Sequence, residues 1–254
     1  MLWYKAFLDT RGRFLIGLAV LPCAAIFMVL TYPQVVALLP TVSGIDTTGA
    51  IGQQIGEAIE LARDYRGYVW SQWFRQAPTS MSALFAALLG TGGLAASAAG
   101  GTLFILSMPA SRMRLAAVRA GSGLAQWLLL ALVSSLAIPL ASPAVGESYQ
   151  VGPALVHGVC LFVGGAVIYS LTVLLSTLFG DLWRPWLIAL AIVMPLTFAE
   201  QMISGSWPVG LSGVMTGEQF FRTGELPWAG LAVAIAVSAV LLYVAALNFS
   251  RRDF

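Results

Sequence analysis

The chain alternates between long apolar runs and short polar stretches, and the runs set its organisation. A helix that crosses a bilayer needs about 20 mostly apolar residues. Six stretches qualify: residues 14–37, 81–106, 120–141, 151–179, 185–204 and 227–249. They predict a single-domain, all-α polytopic membrane protein with six transmembrane helices. The first run follows Arg11 and Arg13, as the core of a secretion signal would, but it stays uncharged to Pro40. That is long for a signal core, so the segment reads as a retained span.

The polar stretches have patterns of their own. Residues 1–13 mix Trp3, Tyr4, Phe7 and Leu8 with Lys5, Asp9, Arg11 and Arg13. Rings and basic side chains together suit the headgroup layer and predict an interfacial helix. In 41–80, Ile51, Ile55, Ile59, Ala62, Tyr65, Val69 and Trp73 recur at steps of three and four. Gln53, Gln54, Glu57, Glu60, Arg63 and Asp64 take the other face. This is a helical period. It predicts an extracytoplasmic amphipathic helix of roughly 40 Å, capped near Asp46, Thr47 or Thr48 and stopped by Pro78. A lid on the spans, a gate and a docking surface for an accessory protein all fit it. Tyr65, Tyr68, Trp70, Trp73 and Phe74 at its end read as interfacial anchors. The segment 205–226, rich in Gly and aromatics and flanked by Glu200, fits a re-entrant loop or a surface loop.

Charge then sets the orientation. With the N-terminus inside, inner segments hold Lys5, Arg11, Arg13, Arg112, Arg114, Arg119, Arg184, Arg251 and Arg252, nine of the 13 basic residues, against three acids. Outer segments hold four basic residues and eight acids. Basic inner loops are the expected bias, so both termini read as cytoplasmic, in a cell inner membrane.

Composition narrows the chemistry. Charged residues are 9% of the chain, hydrophobic residues 59%, and the mean hydropathy is +0.86. This excludes a disordered chain, a nucleic-acid binder and an ordinary soluble enzyme. The one lysine, Lys5, follows no glycine-rich loop, so no phosphate-binding P-loop is expected here. The one histidine, His157, cannot build a two-His zinc motif. Cys23 and Cys160 each sit in an apolar run and read as small buried hydrophobes. No acid or base lies mid-span, which argues against an ion-coupled carrier. Glu200, at the outer end of the fifth span, is the nearest candidate and reads as facing water. Gly93, Ser97 and Gly101, and again Gly164 and Gly165, offer the small surfaces on which membrane helices approach closely.

The inner loop between spans two and three runs Gly101-Thr102-Leu103, an apolar stretch, then Ser107-Met108-Pro109-Ala110-Ser111-Arg112-Met113-Arg114. Physically this is a span ending at a Pro turn, then a short basic helix over 107–119 that Ser107 or Ser111 can cap. The stretch also resembles the permease subunits of ATP-binding-cassette exporters of the ABC-2 type. Those chains carry Gly-Thr-Leu, an apolar run, Pro with small residues, Ser-Arg and further basic residues. Six spans, both ends inside and a closing Arg251-Arg252-Asp253-Phe254 are similar in outline. One departure is Ala98-Ala99 before Gly100, where members often carry a Glu.

The resemblance implies a concrete machine. Residues 107–119 would be a coupling helix, with Ser107, Pro109, Ser111, Arg112, Arg114 and Arg119 docking on a separate ATPase subunit. Residues 1–13 would be an elbow helix carrying Trp3, Lys5, Phe7, Arg11 and Arg13. Two permease copies, a homodimer, would enclose the path, and Trp73, Phe74, Glu200, Trp207 and Phe220 are candidates for its outer gate. This chain would need no cofactor; ATP and Mg would bind the partner. Two other classes compete. A non-transporting membrane scaffold or regulatory subunit shares the gross features. Gly210-Leu211-Ser212-Gly213 has the form of an intramembrane serine protease nucleophile, but the only histidine precedes it, on an earlier span.

Overall fold

The computed structural model describes residues 2–42, 49–76, 78–91, 111–179, 181, 183–202 and 209–251. Every regular element among them is helical. In order they are α1 (Leu2–Val42), α2 (Gly49–Arg63), α3 (Tyr65–Val69), π-helical segments Trp70–Gln76 and Pro78–Ser82, and α4 (Ala83–Gly90). Then come α5 (Arg112–Ala141), a 3-10 turn (Ser142–Val145), α6 (Val151–Leu178) and α7 (Trp183–Met202). Two short helices, α8 (Leu211–Thr216) and α9 (Glu218–Thr223), precede α10 (Trp228–Arg251). Among the described residues four helices are long and apolar enough to cross a membrane: α1, α5, α6 and α10. This is an all-helical membrane protein.

The middle of the bundle is α6. Around it pack α4, α5, α7, α8 and α10, while α1 lies along α5. Leu21, Trp127, Leu130, Leu161, Ile168 and Met215 form the fully buried centre. Close approach there needs the α6 glycines. A Cβ at Gly164 would fall 2.2 Å from Met215 Cγ, and one at Gly165 2.4 Å from Trp127 Cζ2. Lipid tails are as apolar as leucine, so such packing, rather than escape from water, holds the helices together. The outward faces agree: Phe27 on α1, Phe198 on α7 and Val240 on α10 stay exposed.

Contacts divide the bundle into two ends. At one, Asp9 pairs with Arg119, Asn248 bonds Thr177 and Phe249 packs with Ala116. We name it the basic end. At the other, Tyr32 meets Tyr65, Tyr65 bonds Ser142 and Phe74 meets His157. We name it the aromatic end.

Several boundaries differ from the sequence reading. Residues 2–13 and the first span form one helix, α1, without a break at Arg13, although Pro22, Pro33 and Pro40 lie inside it. The basic helix and the third span are likewise one helix, because Gly121 and Gly123 are where Trp3 and Tyr169 press close rather than breaks. The long amphipathic helix is interrupted at Asp64, whose carboxylate caps α3 by accepting from Gly67 N at 3.2 Å. Its polar face holds: Glu57, Glu60 and Arg63 are exposed while Ala62 is buried.

The larger correction concerns residues 65–90. Instead of forming a separate helix that ends at Pro78, residues 65–76 pack against α1 and the end of α5, and the chain then runs on along α6. Phe74 lies against His157, Phe85 reaches the level of Gly17 and Leu130, and Gly90 abuts Tyr169 and Thr172. Pro78 opens a second π-helical segment rather than ending the helical path. The aromatic side chains decide this: Tyr68, Trp70, Trp73 and Phe74 have enough apolar surface to pack as core, and each is 3% exposed or less. They are not interfacial anchors. Gly93, Ser97, Gly101 and the rest of 92–110 lie outside the described residues. Cys160 is buried as expected, but Cys23 faces outward; both are free.

Candidate functional site

The basic end carries the capped helix start. Ser111 sits in extended backbone (φ −62°, ψ 142°), and its hydroxyl accepts from Arg114 N at 3.3 Å. An N-cap of this kind satisfies one of the four orphan donors of a helix start. Arg114 and Met113 are exposed beyond it. The side chain of Arg112 lies outside the described residues, as do Ser107 and Pro109.

Arg119 is turned inward from the same helix. Its Nη2 lies 3.4 Å from Asp9 Oδ2 on α1. One turn of α1 away, Arg13 donates to the Leu88 carbonyl (3.2 Å), the Thr91 carbonyl and the Thr91 hydroxyl (3.0 Å). These oxygens belong to the C-terminal end of α4, where carbonyls lack partners within the helix and a cation is favoured. Gln126 Nε2 donates to Thr10 at 2.7 Å, and the Tyr169 hydroxyl to the Ala120 carbonyl at 3.0 Å. A small cleft opens here, lined in part by Thr10, Thr91, Arg119 and Tyr169. So α1, α4, α5 and α6 are joined at one level. The other residues expected here, Trp3, Lys5, Phe7 and Arg11, are exposed along the first turns of α1, with Phe7 edge-on to Phe14.

The aromatic end brings together three of the outer residues singled out in sequence. Trp73 and Phe74 are buried, and Phe74 stacks on His157 at 4.2 Å. Phe220 meets the same imidazole edge-on at 5.4 Å. Trp207 lies outside the described residues. Glu200 does not simply face water: its carboxylate accepts from Leu211 N (3.0 Å) and Ser212 N (2.7 Å). It thereby ties the start of α8 to the end of α7.

Other residues of this layer were not singled out as a site by their spacing. Trp70 donates Nε1–H to the Thr216 carbonyl at 3.2 Å and stacks on Phe221 at 4.4 Å. Gly217 (φ +62°) lies over His157; a Cβ there would fall 2.6 Å from Nδ1. Trp73 Nε1 and the Tyr149 hydroxyl are buried without a hydrogen-bond partner among the described residues. Tyr65 shares a 2.6 Å bond with Ser142. Burial raises its phenol, and the Ser142 bond works against that. Burial likewise pushes the Tyr149 phenol up to about 12. Nothing in the sequence links Trp70 to Phe221, 151 positions away; only the fold does.

Set beside known proteins, the chain matches no family model, no curated protein and no solved structure.

Proposed function

We propose that this chain is the membrane-spanning permease subunit of an ATP-driven exporter. In this reading it crosses a bacterial inner membrane six times with both termini in the cytoplasm. It pairs with a second copy around the path and takes its energy from a separate ATPase subunit that binds ATP and Mg.

The observation that carries the reading is the start of α5. A Ser-capped helix presents exposed Arg114 at the basic end, and the same helix is joined to α1 through Arg119–Asp9. Arg13 extends that link to α4. An acidic groove on an ATPase that engages Arg112 and Arg114 thus moves a rigid helix tied to three others. This is how a small displacement at one site becomes a repacking of a bundle. Sequence motifs of the loop at 101–114 support the same assignment. At the far end, the Glu200 carboxylate and the Trp70–Thr216 bond hold α8 over α6, where a closed outer gate belongs.

The test is the Arg112→Glu/Arg114→Glu variant. Correct insertion with loss of ATPase co-purification or of its stimulated hydrolysis is expected. Unchanged co-purification and hydrolysis would sink the coupling role.

A further inference from the structure

α9 is the least anchored element of the aromatic end, yet it carries the two rings that complete the layer. None of its six residues is buried. Its ion pairs, Arg222 with Glu218 and Glu57, are solvent-exposed, and such pairs contribute little. It is flanked by Gly217 (φ +62°) and Gly224 (φ +77°), settings that glycine adopts without strain. A Cβ at Gly224 would touch nothing. From this loosely held turn, Phe221 lies flat on Trp70, 4.4 Å away and 5° from parallel. Phe220 covers His157 edge-on. In the same layer Trp73 Nε1 and Tyr149 Oη have no hydrogen-bond partner among the described residues. Buried polar groups are normally paired, and each exception needs a reason.

We propose that the ring face of Trp70 forms a binding site for a planar aromatic molecule rich in hydrogen-bond acceptors, with Phe221 occupying it as a built-in stand-in and Phe220 beside it against His157. The inference rests on the exporter reading and deepens it by naming the class of cargo. Lifting α9 about its two glycines uncovers the Trp70 face, while the imidazole of His157 stays between Phe74 and Gly217. A flat ligand takes the place of Phe221 on Trp70. Its acceptor atoms enter a layer that holds unsatisfied N–H and O–H donors. The guanidinium carbon of Arg66 lies 5.6 Å from the Phe221 ring centroid and that of Arg75 5.6 Å from the Trp70 centroid, and both favour acceptor-rich or anionic rings over cationic ones.

The test uses the full chain in lipid nanodiscs, with 1-pyrenecarboxylate as the probe, read by energy transfer from tryptophan and corrected with empty nanodiscs. Removing the stand-in (Phe220→Ala/Phe221→Leu) is expected to tighten binding about fivefold, the scale of one or two aromatic contacts. Phe221→Leu alone, which keeps volume but no ring, is expected to tighten it about twofold and guards against misfolding of the double variant. Adding Trp70→Leu is expected to abolish the gain. Equal affinity in wild type and both stand-in variants overturns the proposal, and so does a gain that survives Trp70→Leu. The assay needs no ATPase, so its failure and the failure of the exporter reading are separate results.

Discussion

Replacing Arg13 by methionine tests the unexpected descent of residues 70–90 through the bundle. The variant keeps much of the side chain's bulk and removes the guanidinium that joins α1 to the end of α4. Three acceptors lose a donor: the carbonyls of Leu88 and Thr91 and the Thr91 hydroxyl. All three contacts are made by Nη1, whose two hydrogens support about two full bonds; at about 0.6 kcal/mol each by double-mutant cycles within membrane proteins, they sum to about 1.2 kcal/mol. Loss of a cation at a helix C-terminus adds about 0.3–1 kcal/mol. The unfolding constant, measured by steric trapping in bicelles, should therefore rise roughly 10- to 40-fold. Arg13→Lys, which keeps a charged donor on a shorter reach, should recover about half of the loss. Thr91→Val removes a single acceptor, so its coupling to Arg13→Met should be about 0.6 kcal/mol. An Arg13→Met variant within about 0.5 kcal/mol of wild type, a change typical of uninvolved surface sites, would refute the claim that α4 ends on Arg13.

Glycines give opposite outcomes depending on what a Cβ meets. Gly165→Ala drives a methyl into Trp127 and should cost about 1–3 kcal/mol by overpacking. Gly12→Ala meets nothing within 4 Å and should stabilise α1 by about 0.5–1 kcal/mol; thermal unfolding in detergent reads both. Glu200→Ala frees the N–H groups of Leu211 and Ser212, so a Ser212→Cys reporter in a Cys23→Ser/Cys160→Ser background should become reactive to an impermeant maleimide. Equal protection with Glu200 present or absent would count against the clamp. Tyr149 binds its proton more tightly folded than unfolded, since burial raises it from about 10 to about 12. Its contribution is intact below pH 10 and is lost as pH rises from about 10 through about 12. Tyr149→Phe should therefore blunt the alkaline loss of stability, followed by circular dichroism while phenolate absorbance is recorded.

Much of the architecture is legible in the sequence. Apolar runs give the long helices α1, α5, α6 and α10, because a length of uncharged residues has few alternatives in lipid. Small residues at Gly164 and Gly165 mark close packing correctly, against Met215 and Trp127. Ser111 is readable as a cap because the capping rule is local. What misleads is the region where helical period and burial part company. A stripe of Tyr65, Val69 and Trp73 looks the same on an outer lid and on a buried strut, and only the fit against α1 and the end of α5 decides between them. Long-range pairings leave no local trace: Trp70 with Phe221, His157 under Gly217, and Arg13 on the oxygens of Leu88 and Thr91. Glu200 is recognisable as an unusual acid, but its role as a clamp depends on the chain returning eleven residues later.

The most direct test of the account is purification of the tagged chain in mild detergent, with mass spectrometry and an ATPase assay on the same material. The account predicts a stoichiometric P-loop ATPase whose hydrolysis is lost with Arg112→Glu/Arg114→Glu. A folded, monodisperse chain that brings down no ATPase and supports no hydrolysis would contradict it.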